Sequence, residues 1–590
     1  MTNPALNSSS SLSRRKVSTD RIGRWLPGFA IFHTYTRSSF LKDLTAGFVL
    51  TAVLVPAGMG YAQASGLPPI YGLYATILPL FAYALFGPSR ILVLGPDSSL
   101  AALIAATILP LAAGNAERAL SLAGILAILS GAICIVAGLA RFGFITELIS
   151  KPIRYGYMNG IALTVLAGQL PAFFGFSASG EDFFHESKAF VTGVLDGRTN
   201  LMAIAISVLS TVVILGCKRW TPRIPGVLIA VVGSTIAVAI FDLASRANIS
   251  VIGPLPQGLP MVCLPLVSLA DLQSLFSGAL AIALVSFADT SVLSRIYSQR
   301  GGYHVDANQE LVALGIANVV TGLFQGFSVS GSASRTPVAE QAGAKTQVAA
   351  VAGACFIMLL LLFAPSLLST LPRAALGAVV ISACLGQIEI VGIIRLYQLR
   401  RSELIISMAC FLGVICLGVV QGIFIAVGLA LLAFIWRAAR PYDAILGRVD
   451  GLKGYHDVSR HPEAKRIPGL VLFRWDAPLF FANASMFQEH VLQAIALAPT
   501  PTKWVVVAAE PVTDIDITAA DMLAELDKTL HQADMDLCFA EMKGPVKDIL
   551  KRYGLFDSLG TENFFPTIGQ AVDRFLNVHQ VEWQDWDETK

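Results

Sequence analysis

Hydrophobic residues in this chain fall into long blocks separated by short polar loops, and the pattern holds from about residue 41 to residue 440. A helix needs about 20 residues, at ~1.5 Å each, to cross the hydrocarbon core of a bilayer. Continuous apolar stretches that meet or approach this length lie at 119–140, 202–217, 226–241, 278–293, 348–363, 405–420 and 423–436. Shorter runs, or runs interrupted by Gly and Pro, lie between them at 48–60, 70–86, 91–111, 158–173, 311–327 and 374–388. Counted by window, the two sets predict about fourteen crossings or half-crossings.

The pattern changes at Pro441. Residues 471–473, 504–508 and 537–540 are short apolar runs of the buried-strand type, while 483–495, 519–532 and 545–553 show helical spacing with a polar face. Alternating strand and helix predicts a small sheet covered by helices. The expected division is a cytoplasmic tail and interfacial segment over 1–40, a transmembrane domain over 41–440, a linker over 441–468 with a charged, mobile stretch at 451–467, a soluble α/β domain over 469–580 and a tail over 581–590. The first 24 residues are polar, Ser-rich and basic and lack the apolar stretch of a signal peptide, so a disordered, uncleaved tail is expected. Trp25-Leu26-Pro27 and Phe29-Ala30-Ile31-Phe32 then read as an interfacial segment.

Composition changes the picture in one direction. Of 590 residues, 55% are hydrophobic and 14% charged, against roughly 25% charged in soluble domains, so the chain requires an apolar solvent. A formal net charge of +2 without a long basic run argues against nucleic acid as a partner. Basic residues gather in the N-terminal tail and at Arg90, Arg141, Lys151, Arg154, Lys218, Arg219, Arg223, Arg295, Arg300, Arg395, Arg400, Arg401, Arg437 and Arg440, in loops that alternate with basic-poor ones such as 177–186 and 241–271. The basic set should be cytoplasmic, which puts both termini inside a cell membrane and requires an even number of crossings. The eight cysteines (134, 217, 263, 355, 384, 410, 416 and 538) include no CxxC pair and read as apolar core residues, not a disulfide frame or a metal site. No nucleophile elbow, Walker A loop or HExxH is found, so neither an enzyme nor a cofactor is expected and transport must draw on gradients.

Two interrupted segments hold the candidate chemistry. Ile91-Leu92-Val93-Leu94-Gly95-Pro96-Asp97-Ser98-Ser99 and Ser328-Val329-Ser330-Gly331-Ser332-Ala333-Ser334-Arg335-Thr336-Pro337 each pass from a short extended run, through Gly with Pro or Ser, into a helix start. Paired interruptions of this kind point to the central site of a transporter. A helix that begins in mid-membrane exposes unpaired N–H groups and a partial charge of ~0.5 e, and two such ends facing one another attract an anion. The alternative is that Gly and Ser merely pack helices closely.

Ionisable residues within spans cost roughly 2.5–3.5 kcal/mol each on insertion scales and need a partner or an aqueous cavity. Arg335, at the second helix start, adds a full positive charge to an anion pocket, unless it is a loop arginine that snorkels to the surface. Asp289, deep in an apolar span, can hold a proton or a sodium ion, or pair with a basic neighbour. Asp97 beside an anion site repels substrate unless it is protonated or bound to a cation, which is itself a coupling mechanism; alternatively it caps the half-helix. Glu340 and Lys345 read as structural or cytoplasmic contacts, and Glu147 and Glu389 as interfacial.

With these residues in view, the sequence resembles the sulfate permease (SulP) family of anion transporters over nearly its whole length. The resemblance rests on Pro68-Pro69-Ile70-Tyr71-Gly72-Leu73-Tyr74, Phe86-Gly87-Pro88-Ser89-Arg90 with Gly95-Pro96, and Gly331-Ser332-Ala333-Ser334-Arg335 through Ala342-Gly343-Ala344-Lys345-Thr346-Gln347. In the soluble part, Pro478-Leu479-Phe480-Phe481-Ala482-Asn483 and Asp514-Ile515-Asp516-Ile517-Thr518-Ala519 resemble a STAS domain. The resemblance implies fourteen segments in two inverted repeats of seven, a core domain moving beside a gate domain, and a dimer with an elevator movement. It places the anion near Tyr61, Asp97 with Ser98, and Ser334 with Arg335, and a coupling carboxylate at Asp289. Sodium-coupled bicarbonate members carry a Thr one turn after that Asp; Leu293 stands there, with Ser294 next to it. Many members have a non-acidic residue where Asp97 stands. Thr518 occupies the place of a phosphorylatable residue in stand-alone STAS proteins, where phosphate would add charge at a helix start; a plain helix-start hydroxyl is the simpler alternative.

The function expected is secondary transport of a small inorganic anion, sulfate first, in symport with a proton in preference to sodium. Arg335 and the two half-helix ends would hold the anion, and Asp97 or Asp289 the coupling ion. The rivals are a bicarbonate or dicarboxylate transporter or exchanger with the same site, and an anion-sensing membrane anchor whose STAS domain recruits a kinase or an acyl carrier protein.

Overall fold

The computed structural model describes residues 26–28, 35, 37–144, 150–178, 183–221 and 225–583. The expectations for the tail, for most of the interfacial segment, for Glu147 and Arg223, and for residues 584–590 lie outside the described residues. Two compact units divide the chain, one ending at Ala430 and the other beginning at Leu431.

The first unit is helical. Its first half contains α1 (Arg37–Ala64), α2 (Pro69–Phe86), a two-residue strand β1 (Leu94–Gly95), α3 (Ser98–Ala112), α4 (Ala116–Leu139), α5 (Lys151–Phe173), α6 (Phe183–Leu195), α7 (Leu201–Trp220) and α8 (Gly226–Ile240). The second half repeats the order with α9 (Leu269–Gly301), α10 (Ala307–Leu323), β2 (Ser330–Gly331), α11 (Arg335–Gln341), α12 (Val348–Phe363), α13 (Arg373–Leu385), α14 (Ile390–Leu399), α15 (Arg401–Leu417) and α16 (Val419–Ala439). Leaving aside α6 and α14, each half has seven segments, the third of which is a strand followed by a helix. Among the described residues, seven helices are long and apolar enough to cross a membrane.

Half of the runs read as shorter or interrupted are single helices. The runs at 48–60, 70–86 and 158–173 lie within single helices, α1 continuing through Pro56 and α2 through Pro79, those at 311–327 and 374–388 run a few residues past the ends of α10 and α13, and the run at 91–111 and the segment 328–337 contain the strands. The glycines in the others serve close packing. A Cβ on Gly72 of α2 would stand 2.0 Å from the Gly58 carbonyl oxygen of α1, and one on Gly315 of α10 would stand 2.5 Å from the Gly131 carbonyl oxygen of α4. Small residues let helix backbones meet in lipid, where no hydrophobic force drives association.

The helices sort into two bundles. One consists of α1, α2, α3, α4, α9, α10, α11 and α12; the other is built on α5, α7, α8, α13 and α15. The first four segments of each half thus enter one bundle and the later ones the other. The bundles meet where α13 and α8 pack on α1 and where α5 packs on α3.

The second unit is a six-stranded sheet in the order β4-β3-β5-β6-β7-β8. Its strands are β3 (Asp443–Arg448), β4 (Tyr455–Asp457), β5 (Leu470–Trp475), β6 (Trp504–Ala508), β7 (Asp536–Ala540) and β8 (Phe564–Phe565). β5 to β8 run parallel, and the β3–β4 edge is antiparallel. Helices α17 (Ala484–Ala496), α18 (Ile517–His531) and α19 (Gly544–Arg552) cover one face, and α20 (Ile568–His579) the other. The linker expected over 441–468 contains β3 and, within its charged stretch at 451–467, β4, and Arg448 and Lys465 bridge within it. Charged residues suit this edge because one face of an antiparallel pair can meet water.

Candidate functional site

The two strands meet. Leu94 lies opposite Gly331 and Gly95 opposite Ser330, in antiparallel register. Equivalent segments of the two halves therefore run in opposite directions, as an inverted repeat requires. Extended backbone at membrane depth survives only where every polar group finds a partner, and the neighbours supply them. Ser332 N donates to the Val93 carbonyl at 3.0 Å, Val93 N to Thr336 Oγ1 at 3.1 Å and Gly331 N to Thr290 Oγ1 at 2.8 Å. Gln347 Nε2 donates to the carbonyls of Ser89 and Leu92, each at 2.9 Å, and Val329 N donates to Asn318 Oδ1 at 2.8 Å. Glycine is required at both crossing points. A Cβ on Gly331 would lie 3.0 Å from Thr290 Cα, and one on Gly95 would lie 3.0 Å from Arg335 Nη1.

The two helix starts differ. Asp97 is the N-cap of α3, its Oδ1 accepting from Ser99 N and Ser99 Oγ at 3.3 Å each. Ser334 precedes α11 without a capping bond, and α11 is seven residues long against fifteen for α3. The expectation of two matched half-helix ends is corrected here: a turn with Gly343 at φ +92° stops α11 early, so that side contributes a side-chain charge more than a helix dipole.

That charge is Arg335. It is fully buried, which excludes the snorkelling alternative. Nε donates to Ser332 Oγ at 2.8 Å, Nη2 donates to the Pro96 carbonyl, and Nη2 lies 3.7 Å from Asp97 Oδ2. Nη1 is buried with no hydrogen-bond partner among the described residues. The Tyr61 ring stands 6.0 Å from the guanidinium carbon, at the limit of cation–π range.

Tyr61, Gly95, Asp97, Ser98 and Arg335 thus lie together at the crossing. Ser98 is buried and accepts from Gln387 Nε2 at 2.5 Å, whereas Ser334 is exposed, its hydroxyl 3.2 Å from that of Ser332. Asp289, buried on α9, flanks the group: its Oδ1 lies 3.9 Å from Arg154 Nη2 and has no hydrogen-bond partner among the described residues. Ser294, beside the position of the sodium-site threonine, is occupied in donating to Glu310 at 2.6 Å. Thr518 lies in the other unit, exposed in the first turn of α18, whose cap is Asp516 accepting from Ala519 N at 2.8 Å. Glu340 pairs with Arg300 at 3.1 Å.

Sequence reasoning passed over several residues that shape the site. In the sequence Gln347 stands out only as part of a motif, and Arg154 only as a loop charge. Gln387 and Glu310 were not singled out. Glu310 is fully buried and accepts from Tyr83 and Ser294, each at 2.6 Å. Its position within the amphipathic opening of α10 was the available signal, since a carboxylate in such a span needs a partner. A cavity of about 160 Å³, lined by Gln63, Ala102, Gln169 and Glu186 among others, opens one to two turns along α3 from Ser98.

A helical membrane bundle whose halves cross as paired strand–helix breaks, with a buried arginine at the crossing, defines a membrane transporter rather than an enzyme. The chain belongs to the sulfate permease family, whose model matches residues 40–410, and a STAS domain matches residues 461–571. It is 40% identical over 551 residues to a probable sulfate transporter of Mycobacterium tuberculosis, covering 93% of this chain and 98% of that one. A chloroplastic sulfate transporter of Arabidopsis thaliana is 29% identical, over 96% of this chain and 85% of its own. The fold is similar to that of a murine solute carrier 26 family member A9 anion transporter in the inward-facing state, with a TM-score of 0.87, 23% identity and coverage of 95% and 96% of the two chains.

Proposed function

We propose that this protein is a secondary active transporter of a small inorganic anion, sulfate first, taken up with a proton by an elevator movement of one bundle past the other. The observation that supports it most is the fully buried guanidinium of Arg335 at the β1–β2 crossing, with Nη1 unpartnered among the described residues. Buried polar groups are otherwise almost always hydrogen-bonded, and an oxyanion is the natural partner of a guanidinium.

The charges around it support coupling. With both acids ionised, Arg335 and Arg154 balance Asp97 and Asp289. A dianion entering such a site meets two carboxylates in a weakly screened environment. A proton on Asp97 removes the group that competes for Arg335, and it weakens the acceptor at the amide of Ser99. Anion and proton then bind more favourably together than apart, which is the thermodynamic content of symport. The division of the helices into two bundles supports the elevator reading, and the basic residues gathered on alternate loops support cytoplasmic termini. The exposed place of Thr518 in the first turn of α18 supports a regulatory phosphorylation site there.

Labelled sulfate uptake into proteoliposomes tests this. An inward proton gradient should accelerate uptake several-fold, and equal rates with and without the gradient would remove the coupling. Unchanged anion affinity in Arg335→Ala would remove the site.

A further inference from the structure

Two side-chain contacts run from one helical bundle to the other at the site, and both end on groups already placed in it. Arg154, in the first turn of α5, brings Nη2 to 3.9 Å from Asp289 Oδ1 on α9. Gln387, two residues beyond α13, donates to Ser98 Oγ on α3 at 2.5 Å. α3 and α9 belong to one bundle, α5 and α13 to the other. Any sliding of the bundles must break both.

The two contacts differ in kind. The Gln387 contact is neutral, an amide donating to a hydroxyl. The Arg154 contact exists only while Asp289 is ionised. Arg154 is half-buried at the interface, and Asp289 is almost wholly withdrawn from solvent. Ion pairs in such places contribute little net stability against a hydrophobic pair, and their best-attested use is to select one arrangement.

We propose that Arg154 is a proton-sensitive latch: its pairing with Asp289 holds the two bundles in the present arrangement, and neutralising Asp289 releases it. This rests on the transport reading above and adds to it a positioning residue on the opposite bundle. The latch explains why a carboxylate on the moving side faces an arginine on the other. Loading a proton on Asp289 would then do two things at once, lessening repulsion of an incoming anion and freeing the bundle that carries it.

The surroundings leave Asp289 as the group that responds. From α5 it faces Arg154 and the buried Tyr157 hydroxyl. From the start of α3 it faces Asp97 and the Ser99 hydroxyl, with Arg335 of α11 held to the far side of Asp97. From α10, Glu310 meets α9 through Ser294, five residues further along. From α4, the Cys134 thiol faces Ala283. From β2, Gly331 N binds Thr290 Oγ1. Of these, only Arg154 is a charged group on the opposite bundle.

The test is a distance measurement on the full-length protein in lipid nanodiscs without substrate. Spin labels on a genetically encoded keto amino acid would replace Val136 of α4 and Leu209 of α7, both two-thirds exposed and on different bundles, leaving the native cysteines untouched. Wild type should show one dominant distance at neutral pH and a second that grows in mild acid. Arg154→Gln should raise the second population at neutral pH by roughly threefold, the order of one ion pair's worth, and should lose the acid response. Arg154→Lys should retain it. Should Arg154→Gln fail to fold, Asp289→Asn must give the acid-like distances at neutral pH. Wild-type distances with a wild-type acid response in either neutral variant overturn the latch. Because the measurement needs no flux, absent sulfate uptake by wild type would defeat the transport reading alone.

Discussion

The two breaks occupy the same place in their repeats and are built oppositely. At β1–α3 a proline and an aspartate lead into a fifteen-residue helix, and the aspartate already occupies its Ser99 amide. At β2–α11 the helix is seven residues long, uncapped, and begins with the arginine that fills the crossing. The backbone frame is shared, but the acid comes from one half and the base from the other. An empty site is therefore internally paired, Arg335 lying 3.7 Å from Asp97, and substrate must compete with a resident carboxylate. A symmetric pair of helix dipoles would attract an anion at any pH; this asymmetric pair makes attraction depend on the charge of Asp97.

The strongest way to break the comparison is to remove the base. Arg335→Ala should weaken sulfate binding roughly tenfold to a hundredfold, the range for a lost charge-assisted contact, as read by anion-dependent thermal stabilisation. Part of the damage is to the fold, since Asp97 is left buried without its partner. The double variant Arg335→Ala with Asp97→Asn should therefore recover melting temperature while binding stays lost. Arg335→Lys should not restore affinity, because one ammonium cannot reach Ser332 and Pro96 together as the fork does.

Removing the acid should do less and in the other direction. Asp97→Asn keeps a capping oxygen for α3 and deletes the competing charge. Sulfate should bind at least as tightly as in wild type at neutral pH, and its affinity should no longer improve on acidification. A retained pH response in this variant would move the coupling proton to Asp289 alone.

The crossing glycines give an intermediate contrast. In Gly331→Ala the new methyl meets the backbone of Thr290, which cannot give way, so a stability loss of about 1–3 kcal/mol is expected. In Gly95→Ala it meets the buried Arg335 guanidinium, and the backbone there, at φ +156°, is itself strained for a side chain. That variant should lose stability by a similar amount and also weaken anion binding. Thermal melting with and without sulfate separates the two outcomes.

What the sequence revealed follows from the same contrast. Both breaks were legible because each is a local string in which Gly, Pro and Ser interrupt an apolar run, and Asp97 and Arg335 stand inside those strings. The glycines and prolines of α1, α2 and α10 misled because the same residue types also serve close helix packing, and only the partner helix tells the two apart. Arg154, Gln347 and Gln387 each bond a partner more than a hundred residues away in the chain, and no local pattern announces that. The β3–β4 edge was hidden by its charges, since strands with one wet face do not look apolar.

The finest distinction lies between the two serines at the helix starts. Ser98 is buried, follows the cap of the longer helix and accepts from Gln387 beside the buried Tyr61. Ser334 is exposed, makes no cap and exchanges one contact with Ser332. If the acidic break also provides the neutral donors, Ser98→Ala should raise the KM for sulfate by roughly five- to tenfold, the worth of one hydrogen bond. Ser334→Ala should leave it within about twofold, because a hydroxyl that water can replace contributes little. Equal effects at both serines would mean that the short helix also presents its hydroxyl to the anion. The two breaks would then share the binding work, and the asymmetry would be confined to the charged pair.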